Sequence, residues 1–120
     1  MNNKYADLYL LPVPKKNLVK YKKLATTFGK MAREYGALDY RELKGDDLFP
    51  KQVVSFTKAI KPKSTEVLIA AVVDFKSRKH RDEVMKKMMK DPRMEKMMKE
   101  PPIADMGKMM YGGFETIVKA

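Results

Sequence analysis

Val67-Leu68-Ile69-Ala70-Ala71-Val72-Val73-Asp74-Phe75 decides the fold. Eight of these nine residues are apolar, and β-branched residues dominate, so the stretch reads as a strand. It is far shorter than the ~20 residues a membrane helix needs. Side chains on a strand alternate between faces, so both faces of this strand are apolar. A single layer of helices hides only one face of a sheet. The other face must also be covered.

Upstream, Tyr9 to Val13 reads as another strand with apolar side chains on both faces, closed by Pro14. Pro12 predicts either an edge position or a bulge. Asn17 is a plausible cap for a helix in which Leu18, Tyr21, Leu24, Ala25, Phe28, Met31, Ala32 and Tyr35 recur every three or four residues. Lys16, Lys20, Lys23 and Lys30 fall mainly on its other side, and Gly36 stands where a left-handed C-cap belongs. Ala37 to Lys44 predicts a second strand, with Leu38, Tyr40 and Glu42 on one face and Asp39, Arg41 and Leu43 on the other. Gly45-Asp46-Asp47 ends it. The next stretch, Leu48 to Ser64, is too long for a hairpin loop. Its apolar content predicts a short strand or helical turn packed as a flap over an opening.

Downstream, Ser77 caps a helix that runs to Lys90, and Asp91-Pro92 restarts a shorter one to about Lys99. Pro101-Pro102 stops it. A last strand spans Met109 to Val118, where Gly112-Gly113 predicts a bulge or a close backbone approach. The order is therefore β-α-β-flap-β-α-α-β. This is an α+β, ferredoxin-like βαββαβ pattern with one antiparallel sheet, expected to form a single domain over residues 1–120. The simplest cover for the second apolar face is a second copy, giving a homodimer.

Composition narrows the function classes. The chain has 120 residues, 44% of them hydrophobic, and no cysteine. Disulfides, thiol catalysis and cysteine-held zinc are excluded, and a reducing, cytoplasmic compartment is expected. Asp7 interrupts the N-terminal apolar residues, so no signal peptide is readable and no membrane partner is expected. The net charge of +11 raises nucleic acid or an acidic ligand as partners. The excess is shared by both halves of the chain, and the lysines alternate with apolar positions on helices. Nucleic acid is therefore allowed but not favoured.

Nine of the 11 methionines lie between Met85 and Met110. The cluster Met85, Met88, Met89 recurs nine residues later as Met94, Met97, Met98. In one unbroken helix, nine residues is about half a turn out of register. A break at Asp91-Pro92 lets both clusters face one core, and Met85, Met88 and Met89 are expected to be mostly buried.

No catalytic signature stands out. His80 is the only histidine, which excludes a histidine-rich metal site, and no metal or other cofactor is implied. Two carboxylates lie on apolar strand faces, Glu42 beside Tyr40 and Asp74 beside Val72. Enclosed, such a group suits general acid–base chemistry. At a strand's wet end it is merely solvated. Glu42 and Asp74 are the acid–base candidates, with Arg81 and Tyr111 as groups that would orient a ligand.

Val13-Pro14, Gly36-Ala37-Leu38 followed by Glu42, Phe56 with Ala59-Ile60-Lys61, and Ser77 with Arg81-Asp82 are similar to the YbaA-like family of bacterial proteins of unknown function. Asp91-Pro92-Arg93-Met94 and Met110-Tyr111-Gly112-Gly113-Phe114-Glu115 are the most specific matches. The resemblance covers nearly the whole chain. It implies the dimeric α+β barrel, in which two ferredoxin-like sheets pack face to face. That superfamily includes cofactor-independent monooxygenases, haem-degrading enzymes and isomerases. The leading expectation is a homodimer binding a small, partly apolar or anionic molecule between sheet and helices, with a cofactor-independent enzyme as one form of it. The alternatives are an RNA-associated basic protein and a structural or regulatory interaction module.

Overall fold

A computed structural model describes residues 3–120; Met1 and Asn2, part of the segment read for a signal peptide, lie outside them. Four strands form one antiparallel sheet in the order β2-β3-β1-β4, with β1 Tyr5–Pro14, β2 Asp39–Lys44, β3 Glu66–Phe75 and β4 Met110–Glu115. The helices are α1 Leu18–Glu34, α2 Thr57–Ile60, α3 Arg78–Met89 and α4 Pro92–Lys99. The architecture is α+β and ferredoxin-like, as the element order predicts.

Several local signals act as expected. Ser77 accepts the His80 N–H at the start of α3, and Asp91 accepts the Arg93 N–H with Pro92 in the first turn of α4. Gly36 has φ +118°, open to glycine at little cost. Asn17 behaves otherwise. It makes no cap, and its Nδ2 donates instead to the Ile103 carbonyl at 2.9 Å, tying the start of α1 to the segment before β4.

The strands also depart from expectation. β1 begins at Tyr5, four residues early, and carries Asp7 inside the sheet. Pro12 needs no bulge, because β4 pairs with β1 only as far as Leu10↔Met110. Beyond that pair β1 has one neighbour, and proline is tolerated. Gly112-Gly113 does not bulge either, since the β1–β4 register is one-to-one. The pair serves close approach: a Cβ on Gly113 would lie 2.8 Å from Tyr5 Cζ. β4 stops at Glu115, short of the exposed Ile117 and Val118. The flap forms only α2. Its Ile60 is buried, but Phe49, Val53, Val54 and Phe56 are exposed rather than packed over an opening.

Register and alternation divide the sheet into two faces. The face beneath α1 and α3 carries Tyr5, Asp7, Tyr9, Leu11 and Val13 of β1, Ile69, Ala71, Val73 and Phe75 of β3, Tyr40 and Glu42 of β2, and Tyr111 of β4. Two apolar clusters grow on it. One joins Val73 and Phe75 to Met31, Ala32, Val84, Met88 and Met94. The other joins Leu11, Val13 and Ile69 to Leu18, Tyr21 and Met109. Between them, in register across all four strands, runs the row Glu42–Ala71–Tyr9–Tyr111.

The methionine doublets split by helical geometry. Met88 and Met94 share the first cluster and Met97 packs against it, so the break at Asp91-Pro92 does bring both halves to one core. Met89 does not join them: 52% of it is exposed, as is 67% of Met98, because each adjoining residue turns about 100° away.

The second face carries Leu8, Leu10, Ala70, Val72, Leu43, Met110 and Phe114. Leu8, Leu43, Met110 and Phe114 are 38–55% exposed. No helix among the described residues is long and apolar enough to cross a membrane.

Candidate functional site

The groove between α1 and the edge strand β2 has a volume of about 830 Å³. Strand alternation brings Tyr40 and Glu42 of β2 to its floor, and the apolar stripe of α1 brings Tyr21. Gly29 makes room for this arrangement. A Cβ there would lie 2.6 Å from Tyr40 Cδ1, so only glycine lets that ring lie against α1. Glycine inside a helix costs about 0.5–1 kcal/mol relative to alanine.

Tyr21 donates to Glu42 Oε1 at 2.7 Å, and Tyr40 donates to Oε2. Each carboxylate oxygen therefore holds one phenol. Burial first, then the bond to Glu42, raises both phenol pKa values, so both hydroxyls keep their protons. Leu18 and Ile69 add apolar walls. The rim carries Lys22, Lys30 and Lys44, none of which has an ion-pair partner among the described residues. Its carboxylates are already engaged: Glu34 holds Arg93 at 2.7 Å, and Asp39 holds Arg41 at 3.4 Å.

A second polar cluster lies at the other end of the central row. Asp7 is only 1% exposed. Its Oδ1 accepts from Arg81 Nη1 at 2.6 Å and from the Tyr111 hydroxyl at 3.1 Å, while Arg81 also bonds that hydroxyl. The guanidinium donates through Nε to Asp82 at 2.7 Å and lies 5.2 Å from the Tyr5 ring centre. Asp7 Oδ2 is buried and has no hydrogen-bond partner among the described residues. Burial pushes the Asp7 pKa up, against the pull of Arg81 and the Tyr111 bond. Tyr9 packs its ring 4.8 Å from that of Tyr111 and lies between the two polar clusters.

The four candidate residues therefore separate. Glu42 lies in the groove. Arg81 and Tyr111 do meet, but around Asp7. Asp74 is on the second face, opposite Asp39 and Ala6, and cannot share a site with Glu42 within one chain. Asp7, which interrupts the N-terminal apolar residues, is not among the sequence candidates. Extending the alternation of Leu11 and Tyr9 back to Tyr5 would have placed it on the core face. His80 accepts the Lys76 N–H through Nδ1 at 3.0 Å and sets its ring edge-on to Phe75, a local structural role. Burial, followed by nearby Lys76, lowers its pKa. No group of three or more potential metal-ligating side chains occurs among the described residues.

Relatives extend this description. "Uncharacterized protein YbaA" of Escherichia coli (strain K12) is 32% identical over 115 residues, spanning 96% of this chain and 97% of that protein. The Shigella flexneri protein of the same description matches equally. Among solved structures, "Putative antibiotic biosynthesis monooxygenase from Nitrosomonas europaea" superposes with a TM-score of 0.55 at 10% identity, covering 98% of this chain and 93% of that one. At that identity the likeness shows the fold alone, a ferredoxin-like α+β sheet with helices on one face. The profile described as "Protein of unknown function (DUF1428)" matches residues 4–105, and the chain belongs to that family.

Proposed function

We propose that the chain binds a small, partly apolar, anionic molecule in the α1/β2 groove, and does so as a homodimer. One observation carries the binding reading: a groove of about 830 Å³ with Glu42 held by two phenols at its floor and unpaired lysines at its rim. Ligand pockets are commonly about 300–1,000 Å³, mostly apolar, with a few placed polar groups. The name of the monooxygenase of like fold supports small-molecule use. The Asp7–Arg81–Tyr111 cluster stiffens the opposite end of the same row. Leu8, Leu43, Met110 and Phe114 form the second face, and another copy of that face is its simplest cover.

The six tyrosines are built-in reporters. In ring-labelled protein titrated with benzoate or phenylacetate, the Tyr21 and Tyr40 signals should move together while Tyr35 and Tyr111 stay fixed. Movement confined to Tyr9 and Tyr111 would relocate the site to the Asp7 cluster. The absence of any shift with these acids and with phenylalanine would remove the groove reading.

The flap favours a second reading. Phe49 and Phe56 are exposed near Lys51, Lys58 and Lys61, which offers both charge and stacking surfaces to single-stranded nucleic acid. Phosphate contacts weaken steeply with salt. RNA binding that survives about 150 mM salt, and is lost in a Phe49→Ala, Phe56→Ala variant, would promote this reading over the first.

A further inference from the structure

We infer that the groove ligand is amphoteric, with an amino group or comparable hydrogen-bond donor at the floor and an anionic group at the rim. This rests on the groove reading above and names its ligand class. Tyr21 and Tyr40 each have one hydroxyl proton, and both protons are already given to Glu42. The phenol oxygens can therefore offer an incoming ligand only lone pairs. Glu42 is itself acceptor-only when ionised, with about four lone-pair sites, of which the two phenols use two. The floor is thus all acceptor and carries a negative charge.

A ligand carboxylate pushed to that depth would meet a like charge and no donor. A purely apolar end would leave the remaining acceptors without partners, which costs free energy in a half-buried site. An ammonium supplies three donors and the opposite charge. The rim has the reverse character. Lys22, Lys30 and Lys44 offer donors and positive charge, with no carboxylate ion-paired to them among the described residues. One small molecule can satisfy both ends only if it carries both kinds of group.

The test uses a matched series: 3-phenylpropanoate, phenylalanine and phenethylamine, titrated calorimetrically against the full chain. Phenylalanine should bind at least about tenfold more tightly than 3-phenylpropanoate, a difference of about 1.4 kcal/mol. Glu42→Gln should erase that advantage, read as the ratio of the two affinities. Glu42→Ser, which also removes the floor's negative charge, should likewise erase the advantage and keeps the test open if Glu42→Gln does not fold. Lys30→Ala with Lys44→Ala should weaken both acids alike. Equal or tighter binding of 3-phenylpropanoate, unchanged by Glu42→Gln, would overturn the amphoteric ligand while the groove reading stands. Failure of all three compounds at millimolar concentration would overturn both.

Discussion

Replacing Arg81 with leucine should destabilise the protein by about 3–5 kcal/mol at neutral pH, and by much less in mild acid. The variant leaves Asp7 in the sheet, 1% exposed, without its cation. Burial already raises the Asp7 pKa above its ordinary 3.8 even with Arg81 present. Without the guanidinium, the shift must grow. A carboxyl with a raised folded-state pKa binds its proton more tightly when folded than when unfolded. Its contribution to stability is therefore greatest at low pH and declines as pH rises from 3.8 through the folded value. The gap between variant and parent should open over that window. Urea unfolding at about pH 4.5 and about pH 7.5 measures it. A loss of equal size at both would mean that Asp7 does not depend on Arg81 for its charge.

Met88→Ala should cost about 2–5 kcal/mol, whereas Met89→Ala should stay within about 0.5 kcal/mol. Met88 is 0% exposed, packed with Met31, Val84 and Phe75, and its truncation leaves a cavity in the larger cluster. Met89, the next residue, is 52% exposed. Midpoints of denaturant unfolding compare the two directly. Similar losses in both variants would contradict the placement of α3 on the sheet.

Much of this architecture is legible in the sequence because it rests on local signals. Val67 to Phe75 announces a strand apolar on both faces, Ser77 and Asp91-Pro92 mark helix starts, and the α1 stripe shows its period. The site is less legible because it depends on contacts between distant residues. Asp7 finds Arg81 74 positions away and Tyr111 104 positions away. Period counting treats an aspartate as solvent-facing unless its partners are known. Arg81 and Tyr111 are legible as groups that would orient a ligand, but the carboxylate that unites them, Asp7, is not. Glu42 was found on its strand face, yet its bond to Tyr21 requires α1 to lie against β2. Lys22 and Lys30 read as a solvated helix face, and only the groove gives them a shared task.

The proposed function gives the sheet two tasks: its helix-covered face would hold the ligand, and its open apolar face would meet a second copy. Burying about 800 Å² per partner is ordinary for a stable pair. Light scattering at micromolar concentration tests the division most directly, with a Leu8→Lys variant as control. The account predicts twice the 13.9 kDa chain mass for the parent and a shift toward the single-chain mass for the variant. A parent that runs as a clean 13.9 kDa monomer would contradict it.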